Sequence, residues 1–319
     1  MGAIDIGRTG SLGIGVEAVP STAVAAAVFL SYSDGPTLRG HHEPIENISS
    51  RTSRLMDSDS VIGKKWGEGN VQILCDVVNS GYLWKVAMGN EQYVSGTPDY
   101  HTFYATISGN APKTATLIHS RGSTDVEQFT YSAIDELTFE VSDSLATLTA
   151  SFMSRFPTTA TAQTVSTTSG SILAFRDYFI QFGANLTAAG TAVATPLSAF
   201  TLTIANNLEM IHRSGSNDVS AIRTKGMRVS GSYTLFFDSV TERNKYYLLE
   251  KRAMIMTASG YSNESLRLRV PEFRVNEADI STGLDDFYTI TANFVVEDDI
   301  DSGVRFLDIR LANEKESVY

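Results

Sequence analysis

Apolar and polar residues alternate with period two along much of this chain. The stretch Gly69–Asp76, GNVQILCD, sends Val71, Ile73 and Cys75 one way and Asn70, Gln72 and Leu74 the other. That pattern predicts a strand with one buried and one wet face. It returns as Gly231–Asp238, GSYTLFFD, with Tyr233, Leu235 and Phe237 inward and Ser232, Thr234 and Phe236 outward. A second pair follows in the same order. Ala146–Met153, ATLTASFM, aligns with Tyr288–Val295, YTITANFV, sharing two threonines, an alanine and a phenylalanine. Two matches in one order point to an internal duplication. The first copy carries about twenty extra residues between its marked strands, a length that loops absorb.

The remaining pattern fills in around these strands. Residues 1–22 are Gly-rich and predict an extended arm, followed by a short strand within Ala23–Tyr32. Asp57–Lys65 is polar and predicts a loop or hairpin tip. Tyr82, Leu83, Val86 and Ala87 fall at helical spacing, so Ser80–Met88 predicts a helix ended by Gly89. Further strands are expected at Thr102–Ile107 and Gln128–Val141. Thr158–Ser171 and residues 183–198 are Thr-, Ser-, Ala- and Gly-rich and predict linkers, flanking an apolar segment at Ile172–Phe182. Phe200–Ile204 reads as a strand and Ser214–Ser220 as a hairpin tip. Ser239 to Glu242 has capping-box spacing and predicts a helix to about Ala253. Leu266, Leu268 and Val270 predict a strand ended by Pro271, and Arg305–Leu311 a last one. Each half is thus four or more strands with one helix after the second, a β-sandwich with a flanking helix made twice.

Composition narrows the function. The formal net charge is −11 over 319 residues, which argues against gripping a polyanion while permitting a surface past which one slides. The lone cysteine, Cys75, excludes an internal disulfide and reads as a small buried hydrophobe. The longest apolar run, Ala23–Leu30, is far short of a membrane span, and no signal-peptide pattern opens the chain. Catalytic patterns are missing: no nucleophile elbow, zincin helix or phosphate loop occurs. His41-His42-Glu43 lacks a nearby third ligand. A calcium loop starting at Asp299 fails because Arg310 stands where a bidentate Glu belongs. Sequons at Asn47, Asn185 and Asn263 carry no meaning without secretion. No catalytic, cofactor or metal residue is therefore assigned. Between Arg274 and Arg305 there is no Lys or Arg but eight carboxylates, either a solvated face or a surface that repels nucleic acid.

Several motifs together resemble the tail tube proteins of long-tailed, siphovirus-type phages. They are Gly10–Glu17, Pro20–Ala23, Phe29–Tyr32, Pro44-Ile45 with Ser50-Arg51, Gly69–Gly89, and Phe200–Glu209 with Arg228–Asp238. The resemblance implies a structural virion protein, not an enzyme, in the two-tube-domain form. Residues 1–40 would be an arm and first strand, 41–160 and 199–319 tandem tube-type sandwich or barrel domains, and 161–198 a linker. It implies stacked rings forming a hollow conduit for genome ejection, with three chains mimicking six. It also implies self-association, contact with tape measure, tail terminator and distal tail proteins, assembly in the host cytoplasm, and DNA only in passage. Expected lumen-facing residues are Asn70, Gln72, Thr147, Thr149, Ser151, Ser232, Thr234, Thr289, Thr291 and Asn293. Expected ring-to-ring contacts are Gly10, Gly13, Asp57, Lys64, Ser214 and Asn217. A capsid decoration or tail accessory protein would share this composition. A carbohydrate-binding or adhesive sandwich would want clustered exposed aromatics, whereas Trp66 and Trp84 flank the first repeated strand, where packing explains them.

Overall fold

The computed structural model describes residues 10–47, 58–106, 109–122, 125–168, 170–236, 240–261, 263–281, 287–299 and 306–319. It is mainly β, as the alternation requires. The first half contains β1 (Ser11–Val16), β2 (Val28–Leu30), β3 (Tyr32–Asp34), β4 (Arg39–Asn47) and β5 (Ser58–Leu74), then helix α1 (Ser80–Met88). After it come β6 (Gly89–Val94), β7 (Asp99–Ala105), β8 (Ala115–Ser120), β9 (Val126–Val141), β10 (Thr147–Ser154) and the short β11 (Thr158–Thr159). The second half contains β12 (Tyr178–Gly183), α2 (Leu186–Thr191), β13 (Ala199–Ala205), β14 (Leu208–His212), β15 (Val219–Thr224) and β16 (Arg228–Phe236). Helix α3 (Thr241–Tyr247) follows, then β17 (Arg252–Ser259), β18 (Ser265–Ser281), β19 (Thr289–Val296) and β20 (Asp308–Asn313).

One antiparallel sheet runs β4-β5-β10-β9-β13-β16-β19-β18 through both halves. The repeated strands pair in matching register. Gly69 lies opposite Phe152 in the first half, and Gly231 opposite Phe294 in the second. Both glycines sit under a neighbouring segment of chain. A Cβ on Gly69 would come 2.6 Å from the Leu38 Cα, and one on Gly231 would strike the Thr201 carbonyl and approach the Phe294 ring to 2.7 Å. No side chain fits in either place without moving backbone.

A second layer covers the apolar face of this sheet. In the first half it is β2-β1-β8 and the opening of β9. In the second it is β12-β17, the opening of β18, β20, and the β7-β6 hairpin borrowed from the first half. The core between the layers is continuous, including Phe139, Phe152, Phe200, Phe273 and Phe294, all essentially inaccessible. Both layers thus cross between the halves, at β9-β13 and at β7-β20.

β9 and β18 belong to both layers. Each is long, 16 and 17 residues, and each shifts register twice. The first shift sets two residues, Thr130-Tyr131 or Pro271-Glu272, against one on the partner strand. The second extrudes a single residue, Asp135 or Asn276. Such bulges bend a strand and re-aim it, here from the cover into the main sheet.

Several elements depart from the alternation-based expectation. Ser11–Val16, within the expected arm, is a strand paired on both sides, with Leu12 and Ile14 fully buried. Ser58–Lys65, expected as a loop or hairpin tip, is one arm of a hairpin with β4, and from Ser60 to Lys64 its side chains are exposed on both faces. β18 does not end at Pro271 but passes through it at a register shift, where the missing amide is not needed. α3 stops at Tyr247 because Arg252–Ser259 is recruited into the cover as β17, and Ser239 lies outside the described residues. α1 ends as expected at Gly89, with φ +91°. The roughly twenty extra residues correspond to the β6-β7 hairpin, which stands between α1 and β8 and has no counterpart between α3 and β17.

Candidate functional site

The feature with functional content is the open face of the main sheet. Because all its strands are antiparallel neighbours, the register aligns side chains into rows. One row runs Leu74, Thr147, Glu140, Thr201, Ser232, Asn293 and Glu277 across seven strands. The next runs Gln72, Thr149, Thr138, Thr203 and Ser230. Another carries Thr234, Thr291 and Asp279. Asn70 and Ser151 head a fourth with Glu136. Thr289, opposite Phe236, completes the set.

The ten residues named from the sequence as lumen-facing lie on this one face of the sheet, and none of them is buried. The opposite face of the same strands holds Val71, Ile73, Leu148, Ala150, Tyr233, Leu235, Ile290 and Ala292, all buried. Threonine hydroxyls link strands along the face, Thr138 to Thr203 at 3.2 Å and Thr234 to Thr291 at 2.9 Å. Short β-branched polar residues suit a pleated, half-wet surface. They keep much of the wall low between its longer side chains.

The face also carries charge that the repeat comparison did not single out. Glu136 and Glu140 are exposed on β9, and Glu277 and Asp279 on β18. Arg228 and Arg274 lie on the same face. The signal was present, since in Glu136–Val141 the carboxylates fall at the polar places of the alternation.

At each end of the sheet stands a strand with one side unpaired among the described residues. At one end it is β4, preceded by the Leu38 segment. At the other it is the Glu277–Ser281 part of β18, whose Ala278 and Ile280 are only partly covered. Large apolar side chains are exposed near the second end. Phe287 is 84% exposed and meets Phe236 edge-on, while Tyr247, Leu248 and Leu249 are exposed at the end of α3. The corresponding helix in the first half, α1, is buried under Tyr319 and β7.

Of the residues expected to bridge rings, three lie together and the others described do not join them. Ser214 and Asn217 lie in the β14-β15 tip, and Lys64 is exposed on β5 beside it, with the Asn217 carbonyl accepting from the Lys65 amide at 2.7 Å. Gly10 is partly exposed before β1. Gly13 is buried in β1 under Ala26 and Phe29, so it offers no surface. Asp57 lies outside the described residues.

The buried polar clusters are structural. Glu91 takes Lys85 Nζ at 2.6 Å, His101 Nδ1 at 2.7 Å and the Tyr319 amide at 3.0 Å. Burial pushes its carboxyl up, but the hydrogen bonds from His101 and Lys85 and the Lys85 charge outweigh this and hold it below its usual value. The cluster pins the β6-β7 hairpin to the C-terminus. Cys75 is buried and its thiol is pushed far up by burial, which leaves it unreactive. Among the described residues no group of three His, Cys, Asp or Glu could hold a metal, and no helix is long and apolar enough to cross a membrane. His41 instead stacks on Trp66 and meets Glu68 at 3.3 Å.

In comparison with known proteins, the family model described as phage tail tube protein matches residues 7–296, nearly the whole chain. No curated protein matches it.

Proposed function

Because the chain belongs to the phage tail tube protein family, we propose that three copies close into a ring and that rings stack into the conduit through which the genome leaves the virion. The observation that carries this reading is the single polar face running through both halves. Each chain brings an eight-strand wall whose end strands each have one side unpaired among the described residues. Open edges attract further strands, and closure into a barrel removes them. Three such walls make a barrel of about 24 strands, roughly 37 Å or more across the backbone, wide enough for a nucleic-acid duplex.

The two halves serve as two of six panels. Matching register, matching bulges and matching layer changes support a duplicated unit, so three chains supply the symmetry of six. The threonine-rich face, with Glu136, Glu140 and the ten residues above, lines the bore. Its carboxylates repel phosphate, so DNA slides without being held. The β14-β15 tip, the β4-β5 hairpin and the exposed apolar residues around Phe287 supply contacts between rings and to the neighbouring tail proteins. The role is structural, in the virion tail.

The test is assembly of the purified chain, read by native mass measurement of single rings and by negative-stain images. Three copies per ring and hollow stacks are expected. Six copies per ring, or a chain that remains monomeric, would sink the reading.

A further inference from the structure

The chain contains a worked example of how one panel joins the next. β13 pairs with β9 so that Glu136 faces Ala205, Leu137 faces Ile204, Thr138 faces Thr203, Phe139 faces Leu202 and Glu140 faces Thr201. Both sides of this internal seam have counterparts at the free edges. On β18, the pairing with β19 places Glu277, Ala278, Asp279, Ile280 and Ser281 where the pairing with β10 places Glu136 to Glu140 on β9. At the other end, Leu202 lies opposite Gly231. Leu38 stands over Gly69 in the same way, since Arg39 pairs with Glu68. Leu38, Arg39, Gly40 and His41 thus occupy the places of Leu202, Thr203, Ile204 and Ala205.

We infer that the Glu277–Ser281 edge of one copy pairs with the Thr37–His41 edge of the next in the register of the internal β9-β13 seam, seating Asp279 opposite Arg39 and Glu277 opposite His41. This rests on the ring reading above and specifies its joint. Charge supports the register. The internal seam is held at this level by the Thr138–Thr203 hydroxyl contact at 3.2 Å. The outer seam replaces it with opposite charges, in a stretch of chain that has carboxylates and no Lys or Arg between Arg274 and Arg305. Arg39, Glu277 and Asp279 are all exposed in the single chain. The partly covered Ala278 and Ile280 meet Gly40 and Leu38, which completes the core as Leu137 and Phe139 do inside. A slip of one residue would turn every side chain to the wrong face. A slip of two one way would set Ser281 against Arg39 and Glu277 against Glu43, a like-charge pair; the other way it would keep one pair, Glu277 against Arg39, and strand Asp279 opposite Thr37. The seam therefore carries an electrostatic key that the internal seam, joined covalently in one chain, does not need.

Two experiments on the full chain test the register. Asp279→Cys combined with Arg39→Cys places thiols on directly opposed residues, about 4.5–5.5 Å apart at Cα and within disulfide range. Oxidation of assembled rings should give a ladder of covalent dimers and trimers, while Asp279→Cys with Thr37→Cys should give none. Cys75 is buried and does not compete. In parallel, Arg39→Glu or Asp279→Arg alone should weaken ring association about fivefold or more per seam, and the two together should restore it. Since these side chains are exposed, the thermal midpoint of the single chain should not move. Rings that cross-link only through the shifted pair, or that ignore both charge reversals, would overturn the register while leaving the ring intact. An unmodified chain that never forms rings would remove the ring reading and this seam with it.

Discussion

β9 and β18 take the same path by different chemistry. Both leave the cover layer at a two-residue bulge, both extrude one more residue shortly after, and both end in the polar wall. At the first bulge β9 holds Tyr131 at φ +56°, and the amide of Tyr131 donates to the buried carboxylate of Glu17 at 2.9 Å. Glu17 also accepts from the Ser21 amide and the Thr114 and Thr116 hydroxyls, at 2.7 to 2.9 Å. β18 has Pro271 in the place of Thr130 and Glu272 in that of Tyr131, so its bulge carries one amide fewer. One strand gives a bulge amide a buried acceptor, and the other bends at a proline that brings no amide. Path is imposed by sheet geometry, and the local hydrogen-bond deficit is solved separately in each copy.

If the halves share one core, truncating Phe152 or Phe294 to Ala should cost about 3–5 kcal/mol each and lower a single cooperative urea transition. Two separate transitions would break the comparison by showing that the halves fold apart. Next in size is the bulge itself. Glu17→Ala leaves four donors without their acceptor and should cost about 3 kcal/mol, against about 1 kcal/mol or less for Pro271→Ala. Equal losses in urea titration would mean that the two solutions are not alternatives.

A smaller contrast is pH-dependent. His119 on β8 is buried, and burial together with the Arg121 charge lowers its pKa from 6.5 to about 4. Its place on β17 is taken by Met256, also buried. Below pH 6.5 the unfolded chain binds a proton here that the folded chain refuses, so stability is lost as pH falls from about 6.5 to 4. His119→Met should remove that part of the loss, seen as a flatter stability profile than the parent's across this window. Smallest should be Thr138→Ala and Thr234→Ala on the wet face, about 0.5–1 kcal/mol each by thermal denaturation.

The sequence alone determined the strands that repeat, the face each presents, and the family. Those are local properties, because period-two alternation in Gly69–Leu74 or Thr289–Val295 follows from burial on one side only. Helix α1 was equally legible, since its spacing and Gly89 lie within one short stretch. What only the tertiary structure decided depends on partners distant along the chain. Ser58–Lys65 is strand because β4 lies beside it, Ser11–Val16 is core because β8 and β2 flank it, and β18 survives Pro271 because a bulge falls there. The wall's carboxylates, Glu136 and Glu140, joined the ten polar residues only through the pairing of β9 with β10, which sets them opposite Ser151 and Thr147. Strand pairing is non-local, so a strand's own residues state which way it faces but not which strand it faces.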